Sequence, residues 1–262
     1  MVPSKAIIKG YTRRKDEFNR RQLEMEKELS AMQKKFIAFL ISTGAIKFGS
    51  FRLKLHQKHP DAPLSPIYID LRMLQRNAQA FATAVSLYYD LAQHLPYSLL
   101  AGIPIAASGF FGALAYKTGM PTVTPRPETK DHGAGGTIDG MLESDNGMIV
   151  LVGDDLITSA DSKIEVINIL RDAGYIVNDV IVLIDREQGG KEQLEAIGVT
   201  LHAVLTLNQI LSYLVLIDLI TENRRVEIFE VLDQITNWVK THPTPTPKET
   251  FPPQNEETDV PG

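Results

Sequence analysis

Two neighbouring carboxylates followed closely by three hydroxyls make the strongest chemical signal in the chain: Asp154 and Asp155, then Thr158, Ser159 and Ser162. They lie in MIVLVGDDLITSADSKIEVINILRDAG, residues 148 to 174, where an apolar strand leads through the acids and a hydroxyl-rich turn into an amphipathic helix ending at Gly174. A turn that opens a helix presents backbone N–H groups and the positive end of the helix dipole, so an anion can sit there. Carboxylates cannot favour a phosphate directly, but they accept hydrogen bonds from sugar hydroxyls or hold a magnesium hydration shell beside it. One grip for a ribose and another for its 5-phosphate, a few residues apart, are what a phosphoribosyl ligand needs. The same residues also fit an ordinary strand and helix, capped by Asp161 or Ser162 and with solvated acids.

Two further segments carry charge in suggestive places. Residues 125 to 140 read PRPETKDHGAGGTIDG, where glycines 133, 135, 136 and 140 permit a mobile excursion while Arg126, Lys130 and His132 supply donors suited to a polyphosphate. Cationic donors that close over phosphates lower the barrier when pyrophosphate leaves a sugar. A surface hairpin with incidental charge is the plainer alternative. Downstream, Arg186 follows an apolar strand in VIVLIDREQGGKEQLEAIGVTLHAVLTL; its fork of donors suits a planar, carboxylated base, or else a surface ion pair.

These residues need a scaffold, and the chain spells one out. Strand and helix signals alternate: Leu99 to Ala101, Gly109 to Lys117, Thr122 to Thr124, Met148 to Val152, Lys163 to Asp172, Val180 to Ile184, Lys191 to Ala196. Such alternation implies βαβ crossovers and a parallel sheet with helices on both sides. Leu74 to His94 follows a helical period, and Phe36 to Ser42 is an apolar segment stopped by Gly44. Residues 1–35 are dense in mixed charge and read as a helical extension, residues 36–240 as one α/β domain, and residues 241–262, rich in proline, threonine and acids, as a disordered tail.

With 262 residues and 44% hydrophobic content, the chain can fill one sizeable core. A formal net charge of −5 argues against a general nucleic-acid binder. The absence of cysteine excludes disulfides and thiolate chemistry and fits a reducing, cytoplasmic setting. No signal-like or membrane-spanning run is expected; Ile210 to Ile220 comes nearest, contains Asp218, and reads as a buried helix.

The 148–174 segment resembles the phosphoribosyl pyrophosphate signature of type I phosphoribosyltransferases, with Asp154, Asp155, Thr158, Ser159 and Ser162 matching and Ala160 and Asp161 departing. The 125–140 segment is similar to the catalytic loop of orotate phosphoribosyltransferases at Arg126, Glu128, Lys130, Asp131, His132 and Gly133, with Pro127 in place of a lysine. DREQGG at Asp185 to Gly190, FGSFRLK with SPIYIDLR, and AGIPIAASGFFGALAYKTGMP complete a set of ordered blocks over roughly residues 36–215.

The resemblance implies an α/β fold of the type I phosphoribosyltransferase kind: a parallel sheet flanked by helices, a small N-terminal hood and a flexible catalytic loop. It implies transfer of 5-phosphoribosyl from its pyrophosphate to orotate, giving orotidine 5'-monophosphate, in the route to UMP. Asp154 and Asp155 would hold the ribose, the turn Thr158, Ser159, Ala160, Asp161 and Ser162 the 5-phosphate, and Arg126, Lys130 and His132 the pyrophosphate. Lys54, Tyr68, Thr158 and Arg186 would place orotate. The resemblance further implies Mg2+ carried by the pyrophosphate and ribose hydroxyls rather than by direct protein ligands. A homodimer is implied too, and a decarboxylase partner is left open.

The departures supply a second reading. A methyl at Ala160 can block a close backbone approach or an unusual dihedral, and a carboxylate at Asp161 opposes a neighbouring phosphate by about 1 to 4 kcal/mol per charge pair. Pro127 removes an ammonium and a backbone donor. A relative that keeps the fold with a nucleotide-binding, regulatory or protein-interaction role fits these changes.

Overall fold

A computed structural model of the chain describes residues 28–57, 59–126 and 138–242. The central strands are nearly unbroken apolar runs, the pattern of a sheet buried on both faces. Strands β3 (Leu99–Gly102), β6 (Val150–Ile157), β7 (Asp179–Asp185) and β8 (Thr200–Thr206) form one parallel sheet in the order β3-β6-β7-β8. Because alternate residues of a strand point to opposite faces, the sheet divides its apolar side chains between two clusters. Leu100, Leu151, Ile181 and Leu183 join helices α2 (Ala78–Ala92) and α3 (Ser108–Thr118) on one face. Leu99, Val150, Val152, Val180 and Val182 pack on the other against α4 (Asp161–Asp172) and α5 (Gly190–Glu195).

An N-terminal unit covers part of the first face. Helix α1 (Ala31–Ser42) starts at a capping box in which the Ser30 hydroxyl accepts from the Gln33 amide while the Gln33 side chain accepts from the Ser30 amide. This helix runs across position 35, the expected end of the charged extension. Strands β1 (Ile46–Phe51) and β2 (Ser65–Ile69) then pair antiparallel as the hood. Helix α6 (Leu207–Leu216) follows β8, and α7 (Glu222–Thr241) packs against both α6 and β2, burying Ile228, Leu232 and Ile235.

The periodic stretch Leu74 to His94 is not one helix. A short 3-10 helix, Leu71–Arg76, ends at Asn77, whose side chain accepts from the amides of Gln79 and Ala80, both at 3.0 Å, and so restarts the chain as α2. The buried helix expected at Ile210 to Ile220 begins earlier and stops at Leu216. Helix α7 was not anticipated from the sequence.

One close approach sets the spacing beneath the site. The ring of Phe111 on α3 lies directly over Gly153, so a methyl there would overlap it. Residues 1–27 and 243–262, expected as a charged helix and a disordered tail, lie outside the described residues.

Candidate active site

In a parallel sheet, groups at the carboxyl ends of neighbouring strands come together, and ligands bind there. Here the ends of β6 and β7 bring together the acids, the hydroxyl turn and the DREQGG block. Ile157 pairs with Asp185 in the ladder, and the Arg186 amide donates to the Ile157 carbonyl at 2.9 Å. Gly190 sits so close to the turn that a Cβ would lie 2.6 Å from Ile157 Cγ1 and 2.9 Å from the Thr158 carbonyl oxygen. Glycine is required for this approach, because any side chain would push the two blocks apart.

Asp154 is buried and fixed at three points. Its carbonyl accepts from the Tyr88 hydroxyl at 2.6 Å, Oδ1 accepts from the Asp155 amide at 2.8 Å, and Oδ2 pairs with Lys163 Nζ at 2.5 Å. Asp155 is half-buried and accepts from the Leu156 amide at 2.8 Å. Burial first, and then the charge of Asp154, push the Asp155 carboxyl up to about 7, against the opposing pull of the Leu156 amide and Lys163. Neither acid is an openly solvated side chain, as the plainer reading expects: Asp154 is buried and Asp155 half-buried.

The turn is partly open. Ser159, Asp161 and Ser162 are exposed and Thr158 is half-buried, whereas Ala160 is fully buried. Neither Asp161 nor Ser162 caps α4; Ala160 stands at the cap without a side-chain bond, and its amide donates to Gln193 Oε1 at 2.6 Å. Asp161 turns outward and accepts from the Ser159 hydroxyl at 2.9 Å. Ala160 has φ −93° and ψ 5°, so the turn as folded asks for no dihedral that a methyl would strain.

Arg186 is 7% exposed, and its Nε and Nη2 have no hydrogen-bond partner among the described residues. Desolvation lowers its guanidinium to about 10. A buried cation with idle donors is costly unless an anion or acceptor completes it. Its neighbour Asp185 accepts from the Glu187 amide at 2.8 Å, and burial raises the Asp185 carboxyl.

The remaining expected residues sit around this centre. Tyr68 is half-buried on β2, its ring 5.6 Å from that of Phe51. Arg72, on the 3-10 helix that follows β2, is held by Asp70 through paired bonds of 2.7 and 2.9 Å, which raise its pKa. Lys54 opens the short 3-10 helix Lys54–Gln57, and its side chain lies outside the described part of the structure. Lys130 and His132, with Pro127, lie outside the described residues. The stem of their loop does not: β4 (Thr124–Pro125) pairs with β5 (Ile138–Asp139), and Arg126 bridges to Asp139 at 2.9 Å. Ile138 belongs to the same apolar cluster as Ala160, which anchors that stem on the side of the hydroxyl turn.

Sequence reasoning missed Lys163, Tyr88 and Gln193. A signal for Lys163 existed: it shares a helical face with Val166, Ile167 and Leu170, all buried, so the 3.6-residue period alone turns its side chain inward. Tyr88 and Gln193 reach the site across the fold and left no local pattern. Among the described residues, no group of three or more His, Cys, Asp or Glu could hold a metal ion, and no helix is long and apolar enough to cross a membrane.

Comparison with known proteins follows the same outline. No protein-family model matches the chain. It is 37% identical over 175 residues to the bifunctional enzyme PyrF/PyrE of Nostoc sp., covering 67% of this chain and 35% of that protein. It thus spans about a third of that relative's length. It is 33% identical over 175 residues to the orotate phosphoribosyltransferase of Pyrobaculum islandicum, covering 66% of this chain and 86% of the relative. The crystal structure of orotate phosphoribosyltransferase from Aeropyrum pernix superimposes with a TM-score of 0.58 at 29% identity, covering 68% of this chain and 98% of that one.

Proposed function

Because the chain belongs to the type I phosphoribosyltransferase family, we propose that it transfers 5-phosphoribosyl from phosphoribosyl pyrophosphate to orotate, forming orotidine 5'-monophosphate and pyrophosphate. The bond from C1 of the ribose to the pyrophosphate oxygen breaks, its electron pair leaving on pyrophosphate. N1 of orotate bonds to C1 and gives up its proton. No covalent enzyme intermediate is needed, because orientation and surrounding charge carry the oxocarbenium-like sugar.

The observation that carries this reading is Arg186, a buried guanidinium with idle Nε and Nη2 whose own amide donates to Ile157, the last residue of β6 before the hydroxyl-rich turn. An anionic, acceptor-rich base beside a phosphoribosyl ligand satisfies it. The acid pair grips the ribose, the turn Thr158 to Ser162 receives the 5-phosphate, and Lys54 and Tyr68 complete the base site from the hood. Arg126, Lys130 and His132 serve the pyrophosphate. The carboxylates at the carboxyl end of β6 would suit a hydrated Mg2+ arriving with the substrate, which would offset negative charge on the leaving group. A homodimer working in the cytoplasm, alone or with a decarboxylase, belongs to the same reading.

The test is orotate consumption with phosphoribosyl pyrophosphate and Mg2+, followed by the loss of orotate absorbance. Turnover that disappears in Lys130→Ala and Arg186→Met supports the transferase. A well-folded chain that neither turns over nor binds the pyrophosphate in calorimetry sinks it.

One observation favours a second reading, a non-catalytic relative with a binding or regulatory role. The Ala160 amide, which a phosphate in the turn would use, is taken by Gln193, and the exposed Asp161 carboxylate engages the Ser159 hydroxyl of the same turn. Asp161→Gly discriminates: removing a charge near the phosphate should tighten phosphoribosyl pyrophosphate binding by roughly tenfold. Unchanged binding would mean that the turn does not receive the phosphate.

A further inference from the structure

Glu187 stands in a backbone conformation that its residue type opposes. Its φ is 58°, in the left-handed region, where a Cβ crowds the following carbonyl and glycine is the ordinary occupant. Glycine fills positions 189 and 190 of the same loop, yet a glutamate stands next to Arg186. Such a conformation persists where the surroundings fix it, and here they do so at two points. The Glu187 amide donates to Asp185 Oδ1 at 2.8 Å, and Glu187 Oε2 accepts from the Asn208 amide at 2.8 Å. Asn208 lies in the first turn of α6, whose free N–H groups and dipole favour a carboxylate. The anchor is itself held: Asn208 Oδ1 accepts from Arg225 Nη1 of α7 at 2.9 Å, and Glu222 pairs with the same guanidinium at 2.6 Å.

Arg186 thus lies between two tethers. Its own amide donates to the Ile157 carbonyl at the end of β6, and the next residue is hooked to α6. Its Nε and Nη2 have no hydrogen-bond partner among the described residues, so those donors do not fix the side chain; the backbone on either side sets its direction. We propose that Glu187 is a positioning residue whose carboxylate, hooked on the first turn of α6, holds the left-handed turn after Arg186 and so keeps that guanidinium directed at the acceptor base. This rests on the reading of Arg186 as a base-binding group. Glu187 is exposed and in this role touches no substrate; what the hook requires is an acceptor oxygen, which an amide also supplies.

Steady-state kinetics of the full chain with orotate, phosphoribosyl pyrophosphate and Mg2+ test this, each variant's folding being followed by thermal melting. Glu187→Ala loses the hook and keeps a Cβ that disfavours the turn, so the KM for orotate should rise by about tenfold. The kcat and the KM for phosphoribosyl pyrophosphate should stay within about twofold, because a contact to the base is lost from ground state and transition state alike. Glu187→Gln keeps an acceptor and should bring the orotate KM back to within about threefold of the wild type. Glu187→Gly has no hook but adopts the turn without strain, and should fall between the two. A merely structural role would raise both KM values together as the melting temperature falls, and that pattern overturns the inference. So do Glu187→Ala with the orotate KM of the wild type, Glu187→Gln as weak as Glu187→Ala, and Glu187→Gly no better than Glu187→Ala. A wild-type chain that consumes no orotate removes the transferase reading and this inference together, whereas every variant outcome leaves that reading standing.

Discussion

Asp155 and Arg186 are each held in a state that the fold alone does not favour, and both consequences can be measured. The Asp155 carboxyl, raised to about 7, is half-protonated near neutrality. If its charged form accepts from a ribose hydroxyl, binding of phosphoribosyl pyrophosphate should strengthen roughly tenfold from pH 6 to 8, and Asp155→Asn should flatten that profile. Stability runs the other way. Between the ordinary carboxylate value of 3.8 and the raised folded value, the native state keeps a proton that the unfolded chain has released, so stability falls as pH rises through that window. Asp155→Asn should therefore stabilise the chain more at pH 8 than at pH 5 in denaturant titrations, by about 1 to 3 kcal/mol. For Arg186, Arg186→Met removes a buried cation with idle donors and should raise the melting temperature, by about 1 to 3 kcal/mol of stability, while abolishing orotate binding. A variant that melts lower and still binds orotate would show that the guanidinium is completed from within the protein.

The elements around these residues are held together by contacts too close for substitution. Gly190 lets α5 begin against the turn that follows β6, and Gln193, one turn along, then reaches the Ala160 amide. Gly190→Ala should cost about 1 to 3 kcal/mol and should weaken phosphate and orotate binding together, because a Cβ wedges the two blocks apart. Normal affinity for both ligands would mean that the blocks bind independently. The β4–β5 pairing and the Arg126–Asp139 bridge hold residues 124–126 against residues 138–139.

Across the whole molecule, the hood and the catalytic sheet are joined by α7. This helix packs on β2, while the Gln188 side chain from the DREQGG block donates to Thr236 Oγ1 at 3.2 Å. One helix therefore touches both the hood that carries Tyr68 and the loop that carries Arg186. Leu232→Ala should cost about 2 to 5 kcal/mol and, if Thr158 to Ser162 receive the phosphate as proposed, should weaken orotate more than inorganic phosphate, since that turn lies with the far cluster. Equal losses for the two ligands in calorimetry would show that α7 supports the domain without organising the base site.

Residue order and periodicity suffice for the scaffold and the outline of the centre. Apolar runs punctuated by helix starts require a parallel sheet, and the order Asp154, Asp155, Thr158, Ser159, Ser162 marks a turn at a strand's carboxyl end, because both signals are local and periodic. How those residues are engaged depends on the folded chain. That Asp154 is paired inward with Lys163, that Gln193 occupies the Ala160 amide, and that Arg186 keeps its donors idle all depend on side chains meeting across β6, β7 and the helices behind them. Burial and pairing between distant segments set charge state and hydrogen-bond occupancy, and neither leaves a trace in residue spacing. Even Lys163, whose helical period turned it toward the core, acquires a role only once the strand that carries Asp154 lies beneath it.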